Sequence, residues 1–270
     1  MKELRDHLNA MFLNLPVKPF FAAKKTNPHE LRALFNSLVP VKSDPPLIRL
    51  GPDSDGGYLV PDDLDGITTC FSPGVSTVSG FELECASRGM DVFLADASVD
   101  APPDLHPKFK FLKNYIGAYT RNEFITMEDW IEAMQPDRSG DWLLQMDIEG
   151  AEYEVILNLP ERYIRQCRII VVEFHTLDYL FDSGFYSLAS RVFEKLLNQH
   201  TCVHIHPNNS GTIVISDDIA IPKMMEFTFH RNDRLNSKQP ASQFPHPLDC
   251  DSVPAYPLIT LPSCWYHPAE

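Results

Sequence analysis

The sequence predicts an α/β protein built on a mainly parallel, seven-stranded sheet with helices on both faces. Short apolar runs of strand length alternate along the chain with stretches of helical period, the pattern of parallel strands joined by crossover helices. One junction shows this most clearly. Trp142-Leu-Leu-Gln-Met146 has the length of a strand buried on both faces, and past Asp147 the residues Val155, Ile156 and Leu159 recur at helical spacing. Finally, several strands end in a carboxylate, and open α/β sheets bind ligands just outside those ends.

Composition sets the bounds. A chain of 270 residues, 44% hydrophobic and 22% charged, suits one large domain or one domain with additions. A net charge of −14 opposes nucleic acid and anionic membranes as partners, because both demand a basic footprint. The expected ligand is a small molecule, neutral or locally cationic. Six scattered cysteines show no C-x-x-C spacing for zinc or a redox dithiol, so reduced thiols are expected. No stretch has the length of a membrane span. Met11-Phe-Leu-Asn-Leu-Pro16-Val-Lys18-Pro19 is too broken to serve as a secretory signal, and a cytoplasmic location is expected.

Residues 1–48 read as a helical extension. Lys2 to Leu13 is amphipathic, and Asn27-Pro28-His-Glu30 is a cap followed by proline in the first turn of a helix reaching about Leu38. The main domain spans 49–233. Asp55-Gly56-Gly57 is a hairpin-turn signal whose bare glycines also admit a ligand. Ile67 to Phe71 is the first strand, followed by a small-residue loop and a helix ending at Gly89. Met90 to Leu94 is the second strand and Phe109 to Tyr115 the third. A helix starting at Asn122 or Thr126 then leads to the Trp142 strand, the fourth. Arg168 to Val172, Cys202 to His206 and Met224 to His230 complete the sheet, the last strand able to lie antiparallel. Thr212 to Ile215 is a short strand or part of a connection. Residues 234–270, rich in proline, read as an extended tail or lid.

Asp96 lies 22 residues beyond Gly74, the separation that puts a carboxylate on a cofactor's ribose. The loop lacks G-x-G-x-x-G, since Ser76 stands where the second glycine would be. No pyrophosphate cradle is spelled out, which weighs towards an adenosyl cofactor without phosphates and against NAD. A turn role for Asp96 is the competing reading. Ile116-Gly117 offers a floor for an adenine ring. Asp96, Asp147 and Glu173 end three strands on one edge, with His175, His206, Asn208 and Asn209 in the same layer. Like charges so gathered need a cation or a proton between them. Taken singly, Asp147 also reads as a helix cap, His175 as a loop histidine, His204 as a core residue and Pro207-Asn-Asn as a structural turn.

Asp147-Ile-Glu-Gly-Ala-Glu152, Val171-Val-Glu173-Phe-His175, His204-Ile-His206-Pro-Asn208-Asn209, Ile221-Pro222 and Glu226-Phe-Thr-Phe occur in that order. Upstream lie Asp55-Gly-Gly-Tyr58 and Phe71-Ser-Pro-Gly74. The succession resembles the FkbM-type S-adenosylmethionine-dependent methyltransferases over roughly residues 50 to 232. The resemblance implies a class I methyltransferase fold, Rossmann-like, and O-methylation of a small molecule such as a sugar or polyketide hydroxyl. It puts the cofactor's ribose on Asp96, its amino-acid end on the loop of Ser72, Gly74 and Ser76, its adenine near Ile116 and its methyl near Asp147. Asp147, Glu173 and His175 are the candidate catalytic groups, with Glu173 and His175 first in line as base. His206, Asn208 and Asn209 suit hydrogen bonds to a polyol. A divalent metal on Asp147, Glu173 and His175 ranks after base catalysis. The rival classes are an NAD(P)-dependent oxidoreductase on a similar sheet and a non-catalytic binding protein.

Overall fold

The computed structural model describes residues 24–267. The helix expected over Lys2 to Leu13 lies outside them. Helix α1, Pro28–Leu38, opens with a reciprocal cap: the Asn27 side chain accepts from His29 N, and Glu30 reaches back to Asn27 N. Its face of Leu31, Leu34, Phe35 and Leu38 is buried.

The central sheet comprises β1 (Ile67–Pro73), β2 (Asp91–Ala95), β3 (Phe109–Leu112), β4 (Asp141–Met146), β5 (Cys167–Phe174), β6 (His200–Pro207) and β7 (Met225–Arg231). Their spatial order is β6-β7-β5-β4-β1-β2-β3. Only β7 runs antiparallel, pairing with β5 and β6. The pairs β1–β4, β1–β2, β2–β3 and β4–β5 are parallel. Chain order therefore reverses between β1 and β4, which is where an open sheet of this kind opens a crevice.

Helices α2 (Gly80–Ser87), α3 (Met127–Met134), α4 (Glu152–Asn158), α5 (Glu161–Gln166) and α6 (Ser183–Leu197) fill the crossovers. Strand alternation divides the core in two. Trp142, Leu144 and Met146 join Phe71, Phe93, Trp130 and Phe174 on the face covered by α1 and α3 to α6. Leu143, Ile169 and Val171 face the other way, against α2 and an antiparallel hairpin, Leu47–Leu50 with Tyr58–Pro61. That hairpin takes the place of further helices and carries Asp55-Gly56-Gly57 in its turn.

Two boundaries differ from expectation, and an open alternative at a third is decided. The third strand ends at Leu112, where Asn114 N turns back to Leu112 O. Tyr115–Gly117 pairs instead with Phe124–Thr126 outside the main sheet. Thr126 rather than Asn122 caps α3, accepting from Asp129 N. Helix α4 begins at Glu152, because positive φ at Glu149 (57°) and Gly150 (106°) turns the chain first. Ile213–Ser216 is a strand, hairpinned with Ile219–Pro222.

The tail wraps the domain. Its residues bridge Val41 through Pro240, and the Trp265 ring stacks on Phe35 with centroids 4.0 Å apart. Leader helix, sheet and tail thus share one core. No helix among the described residues is long and apolar enough to cross a membrane.

Candidate active site

At the β1/β4 crevice, a small cleft of about 60 Å³ opens between the hairpin turn and the loop after β1. Asp55, Tyr58, Ser76, Val78, Gln145 and Asp147 are among its walls. Gly74 makes the junction tight. At φ 93° it brings its Cα so close to the next strand's end that a Cβ there would lie 1.6 Å from Asp147 O. Its conformation thus serves the packing of β1 against β4. Asp96 is buried and braces the loop: Oδ2 accepts from Ser76 N at 2.8 Å and Oδ1 from Ser98 N at 2.7 Å. Each oxygen keeps a free lone pair. Ile116 is buried in the opposite core layer.

A hydrogen-bonded chain runs along the cleft floor. The Ser72 hydroxyl lies within reach of both Glu82 Oε1 and Gln145 Oε1. Gln145 Nε2 donates to Tyr58 Oη at 3.3 Å, and Tyr58 donates to Asp147 Oδ2 at 3.4 Å. Ser72 has one proton and two carbonyl-type neighbours, so the chain closes when Glu82 is protonated and itself donates. Burial agrees, pushing the Glu82 carboxyl up to about 7. A raised carboxyl binds its proton more tightly in the folded chain than in the unfolded one. The stability that Glu82 contributes is therefore fullest below pH 4.5 and is lost as pH rises through about 7. Glu82→Gln, which keeps a donor at that position, is expected to remove this dependence. Urea denaturation of both proteins at pH 5 and pH 8.5 should show their stability difference moving by about 3 kcal/mol in the variant's favour at high pH.

The strand-end acids converge on His175. Its Nε2 lies 3.9 Å from Asp147 Oδ1, 3.5 Å from Glu149 Oε2 and 3.8 Å from Glu173 Oε1. Its Nδ1 is 3.1 Å from Glu152 Oε1, which also accepts from Ile148 N and Gly150 N. Burial disfavours charge on His175, but the Glu152 bond and the nearby carboxylates outweigh it and raise the imidazole to about 9. Burial lifts Asp147 to about 7, partly offset by His175. Burial and the neighbouring Asp147 and Glu226 likewise raise Glu173. Helix capping is not the role of Asp147, since α4 starts five residues later with Ala151 at its N-cap.

The layer beyond β5 is held by other contacts. Asn208 donates to Glu173 Oε1 at 2.8 Å, and Asn209 exchanges bonds with Val253 of the tail. His204 and His206 both meet the tail's Asp249, at 2.8 and 3.4 Å, so His204 faces a carboxylate rather than an apolar core. Tyr58, Glu82, Gln145 and Glu226 join the site without a role expected from sequence. Gln145 carries a signal, being a polar residue in an otherwise apolar strand.

Strand order with a lone antiparallel β7, and acids at the crevice, define a class I methyltransferase fold. Residues 102–202, 101 of the 270, match the family model described as the methyltransferase FkbM domain, bearing out the resemblance read from the motifs. No curated protein matches the chain. Among solved structures, it is similar to one described as a DNA modification methyltransferase encoded within an E. coli prophage, at 12% identity and TM-score 0.36, covering 62% of this chain and 47% of that one. The chain thus spans about half the length of that structure. It is also similar to the N-methyltransferase NodS from Bradyrhizobium japonicum WM9, at 9% identity and TM-score 0.33, covering 62% and 86%. The fold class rests on the strand order.

Proposed function

We propose that this protein is an S-adenosylmethionine-dependent O-methyltransferase acting on a hydroxyl of a small molecule, working in the cytoplasm. The observation that carries the reading is the convergence of Asp147 and Glu173 within 4 Å of His175 Nε2, beside a cleft at the sheet's crevice. Asp55 and Asp147 on its walls suit a ligand bearing ammonium and sulfonium charge. Asp96 would hold the ribose hydroxyls through its free lone pairs, and the Ser72–Ser76 loop the amino-acid end.

The bound cofactor supplies an electrophilic methyl group. The protein's share is to align the acceptor oxygen and to take its proton. The Asp147–Glu173–His175 group performs the second task, and burial raises the Asp147 carboxyl to about 7, within reach of a proton acceptor at neutral pH. Asp55, at the mouth, and Glu173, deeper in, offer further acceptors to a polyol. Their acidity favours a neutral or cationic acceptor over an anionic one.

Isothermal titration calorimetry with S-adenosylmethionine and with NADH tests the cofactor. Binding of S-adenosylmethionine alone is expected, and NADH binding in its place returns the sheet to the oxidoreductases. Radiolabelled methyl transfer, screened over sugars and hydroxylated metabolites, tests the reaction. Retention of the cofactor with no transfer to any of them would favour a binding protein.

A further inference from the structure

We propose that Asp147, Glu149 and His175 form a divalent-cation site at the mouth of the crevice, with Glu152 as the residue that orients the imidazole. The inference rests on the methyltransferase reading only for the cation's use, since the site is read from geometry. One oxygen each of Asp147 and Glu149 and one nitrogen of His175 lie within 4.8 Å of one another. Bonds of about 2.1 Å to a common ion allow ligand atoms to stand up to about 4.2 Å apart. A small closure therefore completes the set. Glu149, with 88% of its side chain exposed, has the freedom to make it.

The histidine is prepared for ligation. Glu152 is fully buried, and its Oε1 holds His175 Nδ1 at 3.1 Å, which leaves Nε2 as the free nitrogen facing Asp147 and Glu149. Carboxylate, imidazole and ion in series is the usual support of a metal-bound histidine. The Glu152 carboxylate sits within the turn that carries the other two ligands, bonded to Ile148 N and Gly150 N, while its Oε2 is buried without a partner.

A second observation points to more negative than positive charge at the crevice. Glu226 is only 7% exposed, and the one cation acting on it, Arg49, spends its guanidinium on Pro52 O and Ser54 O. It is the register partner of Glu173 and projects from the same sheet face beside it. Among the described residues, no lysine or arginine pairs with Asp147, Glu149, Glu152, Glu173 or Glu226. Such a group is costly to bury without a cation. Two carboxylate oxygens and one imidazole suit Mn²⁺, Mg²⁺ or Zn²⁺, and Glu149 takes the ligand position that the strand pattern suggests for Glu173. Glu173 is instead engaged by Asn208.

Titration of the full chain with MnCl₂, followed by the electron paramagnetic resonance signal of free Mn²⁺, tests the site. One Mn²⁺ per chain is expected. Glu149→Gln, an exposed change that leaves the core intact, should weaken binding at least about tenfold, and His175→Asn should do the same. Glu154→Gln, an exposed acid on α4, should bind as wild type does. Absence of stoichiometric binding, or unchanged affinity in Glu149→Gln, overturns the proposal. Calorimetry with S-adenosylmethionine on the same preparation separates the two readings. Cofactor binding with no Mn²⁺ uptake sinks the cation site alone, whereas Mn²⁺ uptake with no cofactor binding supports the site and sinks the methyltransferase assignment.

Discussion

Gly74→Ala is expected to cost at least about 4 kcal/mol, a large share of the 5–15 kcal/mol that holds a typical domain together. Two effects add. The residue sits at φ 93°, where a side chain is strained by about 1–2 kcal/mol. Steric overlap costs more. The new methyl group would stand 1.6 Å from the carbonyl oxygen of Asp147, and neither partner can yield. Both are backbone, and Asp147 N is itself bonded to Pro73 O across the same junction. The β1 and β4 ends would have to part at the point where the cleft begins. Gly89→Ala separates strain from overlap, because Gly89 has φ 99° and no atom within 4 Å of the added carbon. Chemical denaturation of both variants should show a loss of about 1–2 kcal/mol for Gly89→Ala and a far larger one, or no soluble protein, for Gly74→Ala. Equal losses would mean that the two strand ends are not in contact as described.

The Gly74 contact joins residues far apart in sequence, and such contacts are the ones that sequence conceals. Strands are legible where apolar residues run without interruption, as in Trp142 to Met146 and Ile169 to Val172, because a strand buried on both faces tolerates little else. The acids ending β4 and β5 are visible for the same reason, as abrupt breaks in such runs. Their shared approach to His175 follows from parallel neighbours ending at one edge. Contacts spanning a long sequence distance are not legible. Tyr58 reaches Asp147 from a hairpin 89 residues upstream, and Asp249 meets His204 from an irregular tail 45 residues downstream. Neither segment has a periodicity that says which face it will cover. Residues near a strand end can likewise be spent on neighbours rather than on a ligand, as Asn208 is on Glu173 and Asn209 on the tail. Glu149 and Glu152 look alike in sequence beside the helix start. Positive φ at Glu149 and Gly150 sends the first into solvent and leaves the second wholly buried.

Asp147→Asn should lower the rate of methyl transfer at saturating S-adenosylmethionine by about 10²–10⁴. The substitution keeps the shape of the side chain and its place against Tyr58 Oη, which can donate to the amide oxygen as it does to Oδ2. Only the charge beside His175 Nε2 is lost. A proton acceptor whose affinity lies near neutrality is thereby removed, and no neighbour replaces it, since Glu173 is deeper and tied to Asn208. The same substitution also deletes a cation ligand, so by itself it does not divide the two roles. Glu149→Gln does. Glu149 is 88% exposed and belongs to the cation set but not to the proton-accepting group. If Asp147 acts only on the proton, Glu149→Gln transfers methyl groups at the wild-type rate, with or without EDTA. If it acts through a bound cation, Glu149→Gln is slowed as EDTA slows the wild type, and millimolar Mn²⁺ restores it. Unchanged transfer by Asp147→Asn would remove this residue from the chemistry under either role.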